Sequence, residues 1–161
     1  MKTGFHLLTL ATLAATTVLA ADDEAAQPTL ALVASNFTER AGAVVAGEDL
    51  HLAPTGMVAC ALSFATNQTC AIVVVARAAA AAQLAVRLDT HPLATAIIAT
   101  NLTSHSFPVL VSAGTHKLAL APLGGTNTVT IASVMLLGAP LPQLVTTNQL
   151  QRPAWDAPVG R

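Results

Sequence analysis

VSAGTHKLALAPLGGTNTVTIASVMLL, residues Val111 to Leu137, decides how this chain is read. Leu118 and Leu120 alternate with Lys117, Ala119 and Ala121, the period of two that marks a half-buried strand. Thr115–Ala121 and Val129–Leu136 therefore read as two strands. Gly124-Gly125 with Thr126, Asn127 and Thr128 between them supplies residues that accept positive φ, so the chain reverses there. The expectation is a closing hairpin against which earlier strands pair, and hence an all-β domain.

Working back from that hairpin, the same punctuation recurs. Pro28 introduces TLALVASNF, and a short strand lies around Val44 and Val45 between glycines, followed by a loop. Met57–Phe64 and Cys70–Arg77 form a pair of strands separated by Ala65-Thr66-Asn67-Gln68-Thr69, which has the polarity and length of a hairpin loop. The β-branched run IVVVA reads as a strand buried on both faces. Five alanines, Ala78 to Ala82, have high helix propensity, yet they lie between two strand-like runs and no capping residue precedes them. They read either as a connection between strands or as a short helix over Ala76–Val86. QLAVRLD, the turn Asp89-Thr90-His91-Pro92, LATAIIATNL and Ser106–Val111 complete eight or nine short strands at regular spacing. That is the pattern of a jelly-roll β-sandwich.

Length and composition set the frame for this. The chain has 161 residues, room for one ordinary domain; 53% are hydrophobic and 9% charged. Lys2, the apolar run Phe5–Leu19 and the small residue Ala20 have the layout of a secretory signal peptide over residues 1–20. An acidic linker (21–29), the sandwich (30–137) and an extended tail (138–161) containing Pro140, Pro142, Pro153 and Pro158 follow. No later apolar run is uniform enough to cross a bilayer, so direct membrane insertion is not expected. Loss of Lys2 with the signal leaves six basic against eight acidic residues without basic clusters, which excludes an electrostatic footprint for nucleic acid. The expected location is extracellular.

Candidate chemistry is sparse. Cys60 and Cys70 lie on the two arms of the hairpin expected around Asn67, where facing strands would hold them within disulfide range; two free buried thiols, or pairing between chains, are the alternatives. Asn36, Asn67 and Asn101 each open an Asn-x-Thr sequon without proline and are candidate glycosylation sites. His51, His91, His105 and His116 are scattered, with no metal-ligand spacing. Ser104-His105-Ser106 is a poor nucleophile arrangement, because neighbours on a strand point to opposite faces and no acidic orienter stands nearby. Glu48-Asp49 reads as a solvated loop pair. No catalysis and no cofactor are expected. Trp155, alone among apolar tail residues, is a candidate docking side chain.

Four segments carry a family resemblance: LVASNF (Leu32–Phe37), VRLDTHPL (Val86–Leu93), SAGTHKLAL (Ser112–Leu120) and TIASVML (Thr130–Leu136). In order and separation they resemble the carbohydrate-binding modules of the galactose-binding-like β-sandwich type, families six and thirty-five. The resemblance implies a non-catalytic jelly-roll module, often stabilised by calcium. This chain departs from it where the family places acidic calcium ligands, having Val33, Ser35 and Ala132, so no metal site is expected. It departs again in aromatic content: after signal removal only Phe37, Phe64, Phe107 and Trp155 remain, and the phenylalanines lie in core-like segments. Two functions follow as expectations: carbohydrate binding, or a structural subunit of an extracellular coat, matrix or filament, in which neighbouring copies meet through the sandwich and the tail.

Overall fold

A computed structural model describes residues 27–146. The signal segment, most of the linker and the distal tail with Trp155 lie outside the described residues. Ten strands are formed, and a single turn of 3-10 helix, Ala34–Asn36, separates the first two. In chain order they are β1 (Thr29–Leu32), β2 (Glu39–Ala46), β3 (Asp49–Phe64), β4 (Gln68–Ala78), β5 (Ala82–Leu88), β6 (His91–Ile98), β7 (Thr103–Val111), β8 (Gly114–Leu123), β9 (Val129–Leu137) and β10 (Gln143–Leu144). The alanine run resolves as a turn at residues 79–81 between β4 and β5, not as a helix.

The strands pair in the order β6-β5-β8-β3-β9-β4-β7 and make a β-sandwich. β3 belongs to both sheets. Its C-terminal part, Val58 to Phe64, pairs with β8 in the first sheet, while Leu50 to Leu52 pair with β9 in the second. β2 follows β3 along its free edge and carries a bulge between Ala41 and Ala43. Gly42 has φ +56° there, and a Cβ added at Gly56 would lie 2.5 Å from the Gly42 carbonyl oxygen. Two glycines therefore let the paired strands cross closely where the ribbon bends from one sheet to the other. β10 and β1 fill the remaining edges, on β3 and β9 respectively.

The pairing corrects the two hairpins expected from the turns. β8 and β9 do not pair: β8 lies between β3 and β5, and β9 is bonded to β4, β3 and β1. The Gly124-Gly125 turn carries the chain across the sandwich instead. The same holds at Asn67, where β3 leaves the first sheet and β4 enters the second. The expected Cys60–Cys70 disulfide loses its basis, since facing sheets stand about 10 Å apart and a disulfide needs Cα atoms within about 7 Å. Both thiols are free and buried. Burial pushes the Cys60 thiol up to about 12 and raises that of Cys70 as well. By contrast, β5 and β6 do form a hairpin, through Asp89-Thr90 as the composition suggests.

The core lies between the sheets. Phe37, Leu52, Leu62, Ile72, Leu84, Ile98, Leu118, Leu120, Ile131 and Leu136 are fully buried, and Phe64 and Phe107 nearly so. The three phenylalanines among the described residues are core residues, as their positions in strand-like segments imply.

Candidate functional site at the loop end

Three connections gather at one end of the sandwich: the turns at residues 79–81, 99–102 and 124–128. Beneath them, strand register sets His51, Thr130 and Arg77 side by side across β3, β9 and β4. All three point outward because they alternate with the core residues Leu50, Leu52, Val129, Ile131, Ala76 and Ala78. Thr130 Oγ1 lies 3.1 Å from His51 Nδ1, and the Ala78 N–H donates to the Ala99 carbonyl at 2.9 Å, tying the β6–β7 turn to β4. The result is an open cleft of about 470 Å³ lined by His51, Arg77, Ala78, Ala79, Thr100, Thr128 and Thr130. Among the described residues no carboxylate pairs with Arg77. Among the described residues the cleft offers a guanidinium, an imidazole and three hydroxyls, but no Phe or Trp face. A second cleft at this end, about 400 Å³, lies between Ala81–Gln83, Ile97 and Leu123–Gly125.

The opposite end holds a polar network that unites two of the quoted motif segments. Asp89, in the β5–β6 turn, accepts a bond from the Lys117 N–H at 2.8 Å and donates its own N–H to the Lys117 carbonyl at 2.7 Å. Its other carboxylate oxygen lies 2.7 Å from His116 Nδ1. The Lys117 backbone bond, aided by the His116 contacts, holds the Asp89 carboxyl below the usual carboxylate range against the opposing effect of burial. His116 packs edge-on against Phe64, with ring centroids 5.8 Å apart. Nearby, Asn67 Oδ1 accepts the Ala113 N–H at 2.7 Å.

Ser112 Oγ lies 3.3 Å from His116 Nε2, so Ser112, His116 and Asp89 stand in the order of a catalytic triad. The same nitrogen lies closer to the Ser112 carbonyl oxygen, at 3.0 Å, and the ring bridges the Ser112 turn to the Asp89 turn.

The other sequence candidates are dispersed. Asn67 and Asn101 are exposed in turns, and Asn36 is half-buried, its Oδ1 accepting the Val33 N–H at 2.8 Å. Ser104 and Ser106 are exposed, while His105 Nε2 lies 3.0 Å from Thr103 Oγ1. Val33 precedes the 3-10 turn and Ser35 lies within it, and Ala132 is the unpaired residue of β9 where the register shifts between Val75 and Ala76. Among the described residues, no group of three His, Cys, Asp or Glu side chains is placed to hold a metal ion. Reading along the sequence missed the loop-end row. Its members are 26 and 53 residues apart, from His51 to Arg77 and from Arg77 to Thr130.

The fold now bears comparison with known proteins. A family 35 carbohydrate-binding module from Cellvibrio japonicus superposes with a TM-score of 0.64 at 12% identity, over 74% of this chain and 99% of that one. A family 35 module from an environmental isolate gives 0.63 at 14% identity, covering 73% and 98%. The C-terminal family 6 module of a marine laminarinase from Zobellia galactanivorans gives 0.59 at 18% identity, covering 68% and 99%. This chain has the carbohydrate-binding module fold. The modules are covered almost end to end, so the match is to a whole domain and not to a shared fragment. No protein-family model and no curated protein sequence matches the chain. Within the module fold, the strands that supply the SAGTHKLAL and VRLDTHPL segments, β8 and β5, are neighbours, and the Asp89–His116–Lys117 network is what joins them.

Proposed function

We propose that the protein is an extracellular, non-catalytic module that binds carbohydrate in the loop-end cleft. The observation that carries this reading is the row His51–Thr130–Arg77 with Thr100 and Thr128, which converges side-chain hydrogen-bonding groups on one open cleft of about 470 Å³. Vicinal hydroxyls of a sugar pair with such donors and acceptors, and Arg77 presents several N–H groups in one plane. The module fold supports the reading by analogy of scaffold. Without an aromatic platform, affinity rests on hydrogen bonds, so each one counts. Secretion rests on the N-terminal segment, and glycosylation at Asn67 and Asn101 is supported by their exposed turn positions.

Screening the purified chain on a glycan array, followed by calorimetric titration of the best ligand, tests this. Arg77→Gln should weaken binding by about tenfold to a hundredfold, as expected for a hydrogen bond from a charged donor. Thr130→Val should weaken it by a smaller factor. Absence of glycan binding at millimolar concentration, or binding indifferent to both substitutions, overturns the proposal. The second reading, a subunit of an extracellular assembly, is favoured by the uncharged outer face of the second sheet.

A further inference from the structure

We propose that the second loop-end cleft is a further subsite of the same binding site. The ligand, which rests on sugar binding in the first cleft, is then a linear, neutral polysaccharide chain that runs over the end of the sandwich from one cleft to the other. Strand register places the two clefts. The turn at residues 79–81 leaves β4 where Ala78 pairs with Val129 of β9, and enters β5 where Gln83 pairs with Leu123 of β8. The turn at residues 124–128 makes the return crossing between the same two strand pairs. The two turns thus pass over the core side by side in opposite directions. The first cleft opens at their second-sheet ends, beside Ala79 and Thr128. The second opens at their first-sheet ends, beside Ala81, Gly124 and Gly125. Between the clefts stand Ala79, Ala80 and Ala81, exposed residues whose side chains are single methyl groups. A ligand passing from one cleft to the other meets no bulky side chain from that turn.

The lining of the second cleft suits a sugar ring. Ile97, Gln83 and Leu123 form one row across β6, β5 and β8 at the loop end of the first sheet. The row points outward, since Ile98 and Leu84, the next residues along β6 and β5, belong to the core. Ile97 is 70% exposed. A pyranose carries C–H groups on its faces and hydroxyls around its rim. Ile97 and Leu123 cover the first, while the Gln83 amide both donates to and accepts from the second. Gly124 and Gly125 have no heavy atom within 4 Å of where a Cβ would stand, and without side chains they leave the peptide groups of the turn open to a ligand. No charged residue lines this cleft of about 400 Å³, so the unit it takes is neutral. The clefts lie at the ends of facing sheets, which stand ~10 Å apart, a span longer than one sugar ring. The ligand therefore has several linked units, and joining two weak subsites through one chain raises affinity without any new contact in either.

Calorimetric titration of the full chain with neutral laminari-, cello-, manno- and xylo-oligosaccharides, each from monosaccharide to hexasaccharide, tests the second subsite. In the series that binds, affinity should rise by about tenfold between disaccharide and hexasaccharide, as the chain reaches across the alanine turn. The double variant Gln83→Ala/Ile97→Ser should bring the hexasaccharide down to the affinity of the disaccharide. Ala80→Trp, which raises the saddle between the clefts, should do the same. All three positions are exposed, and thermal melting of each variant checks that the fold survives. An affinity that does not change with length overturns the proposal and leaves sugar binding in the first cleft standing. A rise with length that both variants retain has the same consequence. Binding of none of the four series overturns the proposal; the first-cleft reading then stands only if another glycan binds and Arg77→Gln weakens it.

Discussion

At the scale of single residues, the motif segments SAGTHKLAL and VRLDTHPL are legible in the sequence, while the reason they occur together is visible only in space. Asp89 is held by the Lys117 backbone and by His116, residues 27 and 28 positions away. Its φ of +56° is one that Asp and Asn tolerate better than most side chains, so Asp89→Asn keeps the turn and removes the charge. The Asp89 carboxyl lies below its ordinary value in the folded state. Its stabilising contribution is therefore complete above the unfolded carboxylate value of about 3.9 and is lost as pH falls through the lower folded value. Asp89→Asn should lower stability by about 1 kcal/mol near pH 6, a modest figure because the side chain is 43% exposed and screened by solvent. Melting curves of both proteins from pH 7 to pH 2.5 check the sign: the gap should hold steady above about pH 5 and narrow below about pH 4. A gap that widens toward acid would contradict the arrangement.

At the scale of elements, the strands were legible and their partners were not. Periodicity and turn composition place Thr115–Ala121 and Val129–Leu136 within β8 and β9, and Cys70–Arg77 within β4. A turn rich in glycine, asparagine or threonine says that the chain reverses. Whether the next strand joins the same sheet or the facing one depends on the core it must close. The Gly124-Gly125 and Asn67 turns both cross the sandwich, which is why two hairpins and a disulfide between their arms do not form. The sixteen-residue β3 was hidden for a related reason. Pro54 and Gly56 interrupt its pattern and read as a loop, whereas they lie where the strand passes between sheets. The Gly42–Gly56 contact at that point admits a direct test. Gly56→Ala places a methyl 2.5 Å from one backbone oxygen and 3.0 Å from the backbone of Ala53. The backbone must shift, so the substitution should cost about 1–3 kcal/mol in urea unfolding. A Gly56→Ala protein that unfolds at the unaltered urea midpoint would remove the close crossing from the account.

At the scale of the whole molecule, nearly every turn links the two sheets, and side chains far apart in sequence come together at the two ends. At one end the polar groups of Asp89 and His116 are engaged by hydrogen bonds among their own neighbours, beside a smaller cleft of about 290 Å³ lined by Asn67, Leu110, Val111 and Ser112. The other leaves Arg77, His51 and three threonines open to solvent. That asymmetry is the reason for proposing the loop end as the binding site. The sequence could not show it, because no member of the row carries a recognisable motif and the phenylalanines among the described residues lie in the core. The most direct measurement is a map of backbone amide shifts in a two-dimensional NMR titration of the labelled chain with its best glycan. The account predicts that the largest changes cluster at residues 77–80, 99–101 and 128–130 and around His51, with little movement at Asn67, Asp89 or Ser112–His116. Changes centred on the Asp89–His116 end, or spread over the outer face of either sheet, would contradict it.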